Sequence, residues 1–183
     1  MSGFAALYPT YRLVMRVKMK RVLTIICAAS LVIIVALPWI VYSHSLSLVE
    51  GRPTPTSTKL SSDELDRVWG ENEKDLNKDN FGDITPYWFY KFLVYGLAND
   101  SLGIKVTDKQ MSAGTSHMAG FVALWYLRDG NFKGKGMLQW HTAGASLGIW
   151  LQRHWSPEQL AASYIEYKDR IARRSSRSAT KKD

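Results

Sequence analysis

The sequence has a single cysteine, Cys27, which lies inside a long apolar run near the N-terminus. One cysteine cannot form an intramolecular disulfide. It also leaves the polar part of the chain without a thiol nucleophile, which excludes cysteine-based catalysis there. We therefore expect packing, rather than cross-links, to stabilise the domain that follows the apolar run.

Acidic residues are absent from the first 49 positions, and the first of the 16 acids is Glu50. Residues 1–21 carry +5 of the net charge of +8, from five basic side chains: Arg12, Arg16, Lys18, Lys20 and Arg21. A nucleic-acid-binding protein clusters its basic residues on the folded domain, so this distribution argues against a nucleic-acid partner. A second basic stretch, Lys168–Lys182, is interpreted either as a solvated end or as a contact for anionic phosphates or headgroups.

The apolar run, Val22–Val41, has 20 residues and no charge, which is enough to cross a hydrocarbon core of ~30 Å as a helix. Trp39 and Tyr42 lie at the end of this run, where aromatic rings prefer the membrane interface, and the basic cluster upstream predicts a cytoplasmic N-terminus. The alternative is a cleaved signal peptide, whose apolar core is usually ~7–15 residues. We predict a cytoplasmic basic segment over residues 1–21 and a retained transmembrane helix over residues 22–42.

The residues after the anchor predict a linker and then a small helical domain. Residues 43–60 include GRPTPTSTK from Gly51 to Lys59, a composition typical of a stiff, solvated linker. We predict an exported domain over residues 61–172 and a basic tail over residues 173–183. The fold class predicted for this domain is all-α, because helix start signals recur and alternating strand patterns are absent.

Five helices are predicted in this domain. Ser61 with Glu64 forms a capping box for a helix to about Asn77. Thr85 with Pro86 begins a second, with its apolar stripe at Phe89, Phe92, Leu93, Gly96 and Leu97. A third has an apolar face of Met118, Phe121, Val122 and Trp125 and ends before Asp129-Gly130. A fourth places Trp140, Leu147, Leu151 and Trp155 on one stripe. Ser156 with Gln159 begins a fifth, to about Arg173.

The fourth predicted helix is rich in small residues: Ala143, Gly144, Ala145, Ser146 and Gly148. Glycine inside a helix costs roughly 1 kcal/mol relative to alanine, so something should approach this backbone closely. Two interpretations remain open, a packed neighbouring helix and a ligand groove.

The polar run from Glu71 to Asp83 partly fits the pattern of a calcium-binding loop. Its oxygen-bearing residues occupy EF-hand positions 1, 3, 5 and 9, namely Asp75, Asn77, Asp79 and Asp83. Asn80 replaces the glycine of the sharp turn, and Pro86 replaces the bidentate glutamate. The histidines show no metal-binding spacing either. We predict no metal and no cofactor.

From about Glu73 to Tyr164 the order of features resembles the peptidoglycan glycosyltransferase domain (glycosyltransferase family 51), a transglycosylase. Its first motif reads Glu-Asp-x-x-Phe-x-x-His-x-Gly, and Glu73 and Gly82 keep that spacing. Its second, Gly-Gly-Ser-Thr-Ile-Thr-Gln-Gln-Leu, resembles residues 113–121, AGTSHMAGF. The stretch LGIWLQRHWSPEQLAASY, residues 147–164, resembles the family's helix, turn and second helix; Ser156, Glu158, Leu160 and Tyr164 are in register.

The resemblance implies a lysozyme-like helical fold, with Glu73 as a candidate catalytic base and Thr115, Ser116 and His141 as substrate-binding residues. Glycosyl transfer needs cations to hold the pyrophosphate leaving group as well as a base. The family's Lys-x-x-Glu pair aligns with His141 and Gly144, so that cation and the second carboxylate are missing here. The resemblance therefore implies a catalytically impaired domain.

We expect a cell-envelope protein of the bacterial inner membrane, single-pass, with its C-terminal domain in the periplasm. Its expected ligands are lipid II, peptidoglycan glycan strands or another envelope protein. Two alternatives stay open: a structural or docking subunit of an envelope assembly, and an active glycosyltransferase with rearranged catalytic residues.

Overall fold

The computed structural model describes residues 8–73, 81–91 and 116–179, and its regular structure in these ranges is helical. One isolated antiparallel bridge joins Val49 to Phe132. The predicted all-α class with an apolar N-terminal helix is thus confirmed. The chain divides into two compact units, Met1–Trp39 and Ile40–Asp183.

The first unit is formed by the long helix α1, Tyr8–Ser47, up to Trp39. Within α1, the segment Met19–Ser47 is apolar enough and long enough to cross a membrane, and just 6% of its most apolar window is buried. From Val22 to Ile40 its leucine, isoleucine and valine side chains are exposed, as at Leu31 and Ile33, so this part of α1 is not a buried core helix. The helix is compatible with a single-pass membrane protein, and a signal sequence would share these properties.

The second unit begins in the last turns of α1, which differs from the predicted linker at residues 43–60. The helix continues to Ser47, and Leu46 and Val49 are buried in the core of this unit. Further along the predicted linker, the amide of Thr56 donates a 3.1 Å hydrogen bond to the hydroxyl of Ser163. The domain therefore starts at Ile40 in the structure rather than near Ser61. The physical reason is that apolar side chains continue past Tyr42 and cover the core, so the chain is held against the domain.

Helix α2 spans Ser62–Asn72 and has the predicted capping box. The hydroxyl of Ser61 accepts from the amide of Glu64 at 3.3 Å, and the Glu64 carboxylate accepts from the amide of Ser61 at 3.0 Å. The helix ends at Glu73, short of the predicted Asn77, and residues 74–80 lie outside the described ranges. Of the second predicted helix, the structure describes a single turn at residues 88–91.

Three helices complete the domain: α3 (His117–Arg128), α4 (Met137–His154) and α5 (Pro157–Ala179). The predicted turn after α3 is present, with Gly130 at φ 98°. Ser156 and Gln159 form the predicted reciprocal cap at the start of α5. α5 continues past the predicted end at Arg173, so the segment 173–179 of the predicted tail is helical.

The core lies where α3, α4 and α5 pack together, with α2 against α5. Leu147 and Leu151 are fully buried and Trp155 nearly so, as the helical stripe predicts. Trp140, the fourth member of that stripe, is half-buried instead and packs its ring edge-on to Phe132 at 5.2 Å. The stripe therefore identifies the core face of α4 correctly, except at its first member.

Candidate functional site

A groove of about 530 Å³ runs between α3 and α4 and is bounded at one side by Trp88 and Phe89. Both helices supply one row of side chains to it. On α4 the row runs from Leu138 to Gln152, a length of about 21 Å at 1.5 Å per residue. The groove is therefore elongated, and its volume lies within the usual ~300–1,000 Å³ of small-molecule sites.

The α4 row explains the small residues of that helix. Residues 141, 145, 148 and 152 follow helical spacing and line the groove, so Ala145 and Gly148 form its floor. A side chain at Gly148 would meet the backbone of Ala119 on α3 at 3.8 Å. Gly144 lies under Leu124, which a Cβ would approach to 2.8 Å. The packed neighbour and the groove, offered by the sequence as alternatives, are thus both present on this stripe.

The α3 row consists of Ser116, Gly120 and Leu124, four residues apart, with Phe121 beside them. The ring of Phe121 packs edge-on against Tyr164 of α5 at 5.0 Å. Among the residues that the structure describes, none outside its own helical turn lies within 4 Å of the position that a Cβ of Gly120 would take. The wall of the groove therefore has room for a side chain at Gly120, whereas its neighbour Phe121 is held by packing against α5.

The chemistry of the groove is mainly apolar. Aromatic and aliphatic side chains dominate its walls, and its polar groups sit towards the two ends. Ser116 and Gln152 mark one end, and His141 and Thr142 lie nearer the other. Among the described residues that line it, none is lysine or arginine. Such a site can hold an elongated apolar ligand, but these lining residues offer no permanent cation to a pyrophosphate.

Glu73 is joined to the N-terminus of α3. Its Oε1 accepts hydrogen bonds from the hydroxyl of Ser116 at 2.6 Å and from the amide of Met118 at 2.7 Å. Its Oε2 accepts from the amide of His117 at 3.1 Å. The first amides of a helix have no intrahelical acceptor and carry partial positive charge, so a carboxylate is favoured there. Glu73, 5% exposed, thus satisfies the start of α3 and ties it to the end of α2.

Ser116 occupies a junction between this cap and the groove. Its hydroxyl donates to Glu73 and accepts from the amide of Ala119 at 3.0 Å, the bond of an N-cap residue. Its own amide donates to Oε1 of Gln152 at 2.8 Å. Because every one of these groups is buried, the position of Ser116 is fixed by both α2 and α4.

The structure brings two of the predicted site residues into the groove and a third beside it. Ser116 and His141 both line it, whereas Glu73 is attached behind Ser116 and is not among the lining residues. Thr115 lies outside the described residues, as do Asp75, Asn77 and Asp79 of the calcium alternative. A general base must come within hydrogen-bond reach of the proton it removes, and the Glu73 carboxylate is directed to α3. Its role as a base stays a prediction.

Sequence reasoning missed Gln152, which is 2% exposed and links α4 to Ser116. A signal was available, because Gln152 follows Gly144 and Gly148 at intervals of four and so shares their face. It missed Gly120 and Leu124 as well, since nothing in their local sequence distinguishes a groove wall from a core face.

The described residues contain no group of three histidine, cysteine, aspartate or glutamate side chains that could hold a metal ion. The described part of the site is thus built from packed helices, one buried carboxylate and a few polar side chains, among them Ser116, His141, Thr142 and Gln152. Comparison of the whole chain with protein-family models, with curated proteins and with solved structures gave no match.

Proposed function

We propose that this chain is a membrane-anchored cell-envelope protein whose exported helical domain binds a lipid-linked precursor in the groove without polymerising it. The anchor is the apolar part of α1, with the basic cluster of residues 1–21 on the cytoplasmic side. The domain from Ile40 onward lies on the other side. In this proposal the protein is a ligand-binding relative of the peptidoglycan transglycosylases.

The observation that carries the proposal is a convergence in space. The resemblance selects Glu73, Thr115, Ser116 and His141 from three segments of the chain, and it places Gly144 where the family has a glutamate. Ser116, His141 and Gly144 line one groove, and Glu73 hydrogen-bonds to Ser116. Residues from separate segments of the chain would not be expected to cluster at one cavity by chance. Their clustering therefore supports a binding site at the groove.

The lining supports a lipid rather than a free sugar as the ligand. Burying apolar surface gives roughly 25 cal/mol per Å², and the groove presents aromatic and aliphatic walls over most of its length. A free glycan would instead need many hydrogen-bonding groups, which the described lining provides mainly at its ends. A precursor with an apolar chain and a polar head fits this distribution.

Three residues favour a protein that binds the precursor without polymerising it: His141, Gly144 and Glu73. His141 and Gly144 stand where the resemblance implies a lysine and a glutamate. Removing one oriented charge-stabilising group typically costs about 10²–10³ in rate, and two are replaced here. Glu73 is meanwhile occupied by three donors of the α3 N-terminus.

The binding test uses the full chain in lipid nanodiscs, labelled lipid II, and a variant that fills the groove. Gly120→Leu places a side chain in open space at the groove wall, and we expect it to weaken binding at least tenfold. Gly70→Leu is the matched control, because Gly70 is an exposed glycine inside α2 with equally open surroundings. Both changes raise helix propensity, so neither should unfold the protein. Equal affinities in the two variants, or no lipid II binding by the unaltered protein, would reject the groove as the site.

Catalysis is tested separately by incubating the same protein with lipid II and separating the products on a gel. We expect no glycan ladder. A ladder from the unaltered chain would contradict the proposal and favour an active glycosyltransferase. Failure to bind lipid II, together with capture of the chain by a defined envelope partner, would favour the docking subunit. Exposed Met137 and Leu138 at the start of α4 would then be the first surface to substitute.

A further inference from the structure

We infer that the groove between α3 and α4 recognises the apolar chain of its lipid, and not the saccharide or the pyrophosphate that the chain carries. The ligand class is then the polyprenyl lipids as a whole, with or without a head group. This inference rests on the proposed function, because it takes the same groove as the lipid site. It goes further by stating which part of the ligand the protein contacts.

The floor of the groove consists of helix backbone and small side chains. A Cβ on Gly148 would lie 3.8 Å from the carbonyl of Ala119 and from the Cα of Gly120, so α3 and α4 are close along this line. Ala145, about one turn earlier on α4, lines the groove as well. Such a floor offers van der Waals contact but no side-chain hydrogen bonds. It suits a hydrocarbon chain, whereas a buried saccharide would need partners for its hydroxyl groups.

The buried polar groups at one end of the groove are engaged with each other. The hydroxyl of Ser116 donates to Glu73 at 2.6 Å and accepts from the amide of Ala119 at 3.0 Å. The amide of Ser116 donates to Oε1 of Gln152 at 2.8 Å. A pyrophosphate placed at Ser116 would have to break these bonds, and the carboxylate of Glu73 would repel it. This end of the groove is therefore closed to an anionic head group.

The two histidines that line the groove, His117 and His141, are exposed and so lie at its rim. They can touch a head group that projects from the groove. An imidazole, however, lacks the permanent charge with which lysine or arginine holds a pyrophosphate, and neither of those residues is among the described lining. Most of the contact area that the groove can offer is therefore to the chain.

Recognition of the chain has a consequence for the place of this protein in a reaction sequence. A glycosyltransferase joins the sugar of the precursor to an acceptor hydroxyl, which loses its proton, and releases polyprenyl pyrophosphate with the chain intact. A groove that recognises the chain would hold this lipid product as well as the precursor. The domain would then bind lipid both before and after a glycosyl-transfer step that another protein performs.

The test measures competition with labelled lipid II, using the full chain in phosphatidylcholine nanodiscs. The competitors are unlabelled lipid II, a polyprenol of the same chain length, and the water-soluble head of lipid II without its chain. The polyprenol should displace the label at a concentration within about threefold of that of unlabelled lipid II, because the two bury the same apolar area. The soluble head should not displace it even at about a hundredfold excess, because it has no chain to bury.

Variants locate the contact. Gly120→Leu fills space at the groove wall and should weaken the binding of lipid II and of labelled polyprenol to the same extent, whereas the control Gly70→Leu should weaken neither. His141→Ala removes a polar group at the rim. It should change the affinity for either lipid by less than about threefold, since exposed polar contacts at a rim contribute little.

The outcomes separate this inference from the proposed function. Displacement by unlabelled lipid II but not by polyprenol, displacement by the soluble head, or a loss in His141→Ala confined to lipid II overturns the inference and leaves the proposed function intact. Binding of labelled polyprenol without binding of lipid II rejects the proposed precursor but supports a groove that recognises the chain, provided that Gly120→Leu weakens it. If neither lipid binds, the inference and the proposed function are both wrong.

Discussion

The hydroxyl of Ser116 donates a 2.6 Å hydrogen bond to the carboxylate of Glu73, 43 residues earlier in the chain. This bond joins the end of α2 to the start of α3, and Ser116 in turn lines the groove. The Glu73 carboxylate therefore has a structural role, whether or not it also takes part in catalysis. Substitutions at Glu73 should therefore alter stability as well as any activity.

Replacing Glu73 with alanine should lower the free energy of unfolding by roughly 2–5 kcal/mol. Three donors lose their acceptor, and an unsatisfied buried donor costs about 1–3 kcal/mol. Glu73→Gln should cost less, because one oxygen remains while an NH₂ group faces an amide donor. Glu71→Gln is the control, since Glu71 is exposed and pairs only with Arg67 among the contacts resolved for it. The measurement is urea unfolding of the full chain in detergent; similar values at Glu71 and Glu73 would contradict the cap.

Truncating Leu147 or Leu151 to alanine should cost roughly 2–5 kcal/mol, the usual range for a fully buried leucine. Leu138→Ala provides the matched control on the same helix, because Leu138 is 78% exposed. Thermal unfolding of the three variants checks the prediction. If Leu147→Ala behaved like Leu138→Ala, the stripe of α4 would be a partner surface and not the core.

Replacing glycine with alanine should stabilise the protein at Gly148 and destabilise it at Gly136. Gly148→Ala places its methyl group at ordinary contact distance from α3 and raises helix propensity, so we expect a gain of about 0.5–1 kcal/mol. Gly136→Ala should destabilise the protein by about 1 kcal/mol or more, because Gly136 has φ 104°, where a side chain is strained. The melting temperatures of the two variants and the unaltered protein check this prediction. A lower melting temperature for Gly148→Ala would show that the methyl group lies closer to the backbone of Ala119 than the 3.8 Å of the structure.

The pKa of Glu166 is lowered by hydrogen bonds from Thr56 and then from Arg170, with attraction to the Arg170 charge adding to the effect. A carboxyl whose pKa is lower in the folded state contributes stability above its unfolded pKa, and that contribution is lost as the pH falls through the folded value. The difference in melting temperature between the unaltered protein and Glu166→Gln should therefore be present at pH 7 and shrink below about pH 4.5. A difference that does not change with pH would contradict this assignment.

The topology predicts that alkaline phosphatase fused after residue 60 is active in a bacterial host, because the enzyme folds productively only outside the cytoplasm. A fusion after residue 21, before the apolar run, should be inactive. Activity of the shorter fusion together with inactivity of the longer one would reverse the orientation and remove the envelope hypothesis.

Local signals in the sequence determined the starts of α2 and α5 and the end of α3. The capping boxes at Ser61 and Ser156 and the turn at Asp129-Gly130 depend on groups within four residues of one another, so pattern and structure agree there. The apolar run of α1 could be predicted from its length and lack of charge. The core stripe with Leu147 and Leu151 could be predicted because hydrophobic periodicity reflects which face of a helix is buried.

Tertiary structure decided what those helices meet. The position of Ser61 suggested where a domain begins, yet Leu46 and Val49 upstream belong to its core, since burial depends on neighbours that come from distant segments. The same holds for the groove: Gly144 and Gly148 indicate that something lies close, but only the packing of α3 shows what. Glu73 could be singled out by spacing, whereas its engagement with Ser116 and Met118 is set by how α2 and α3 come together in three dimensions.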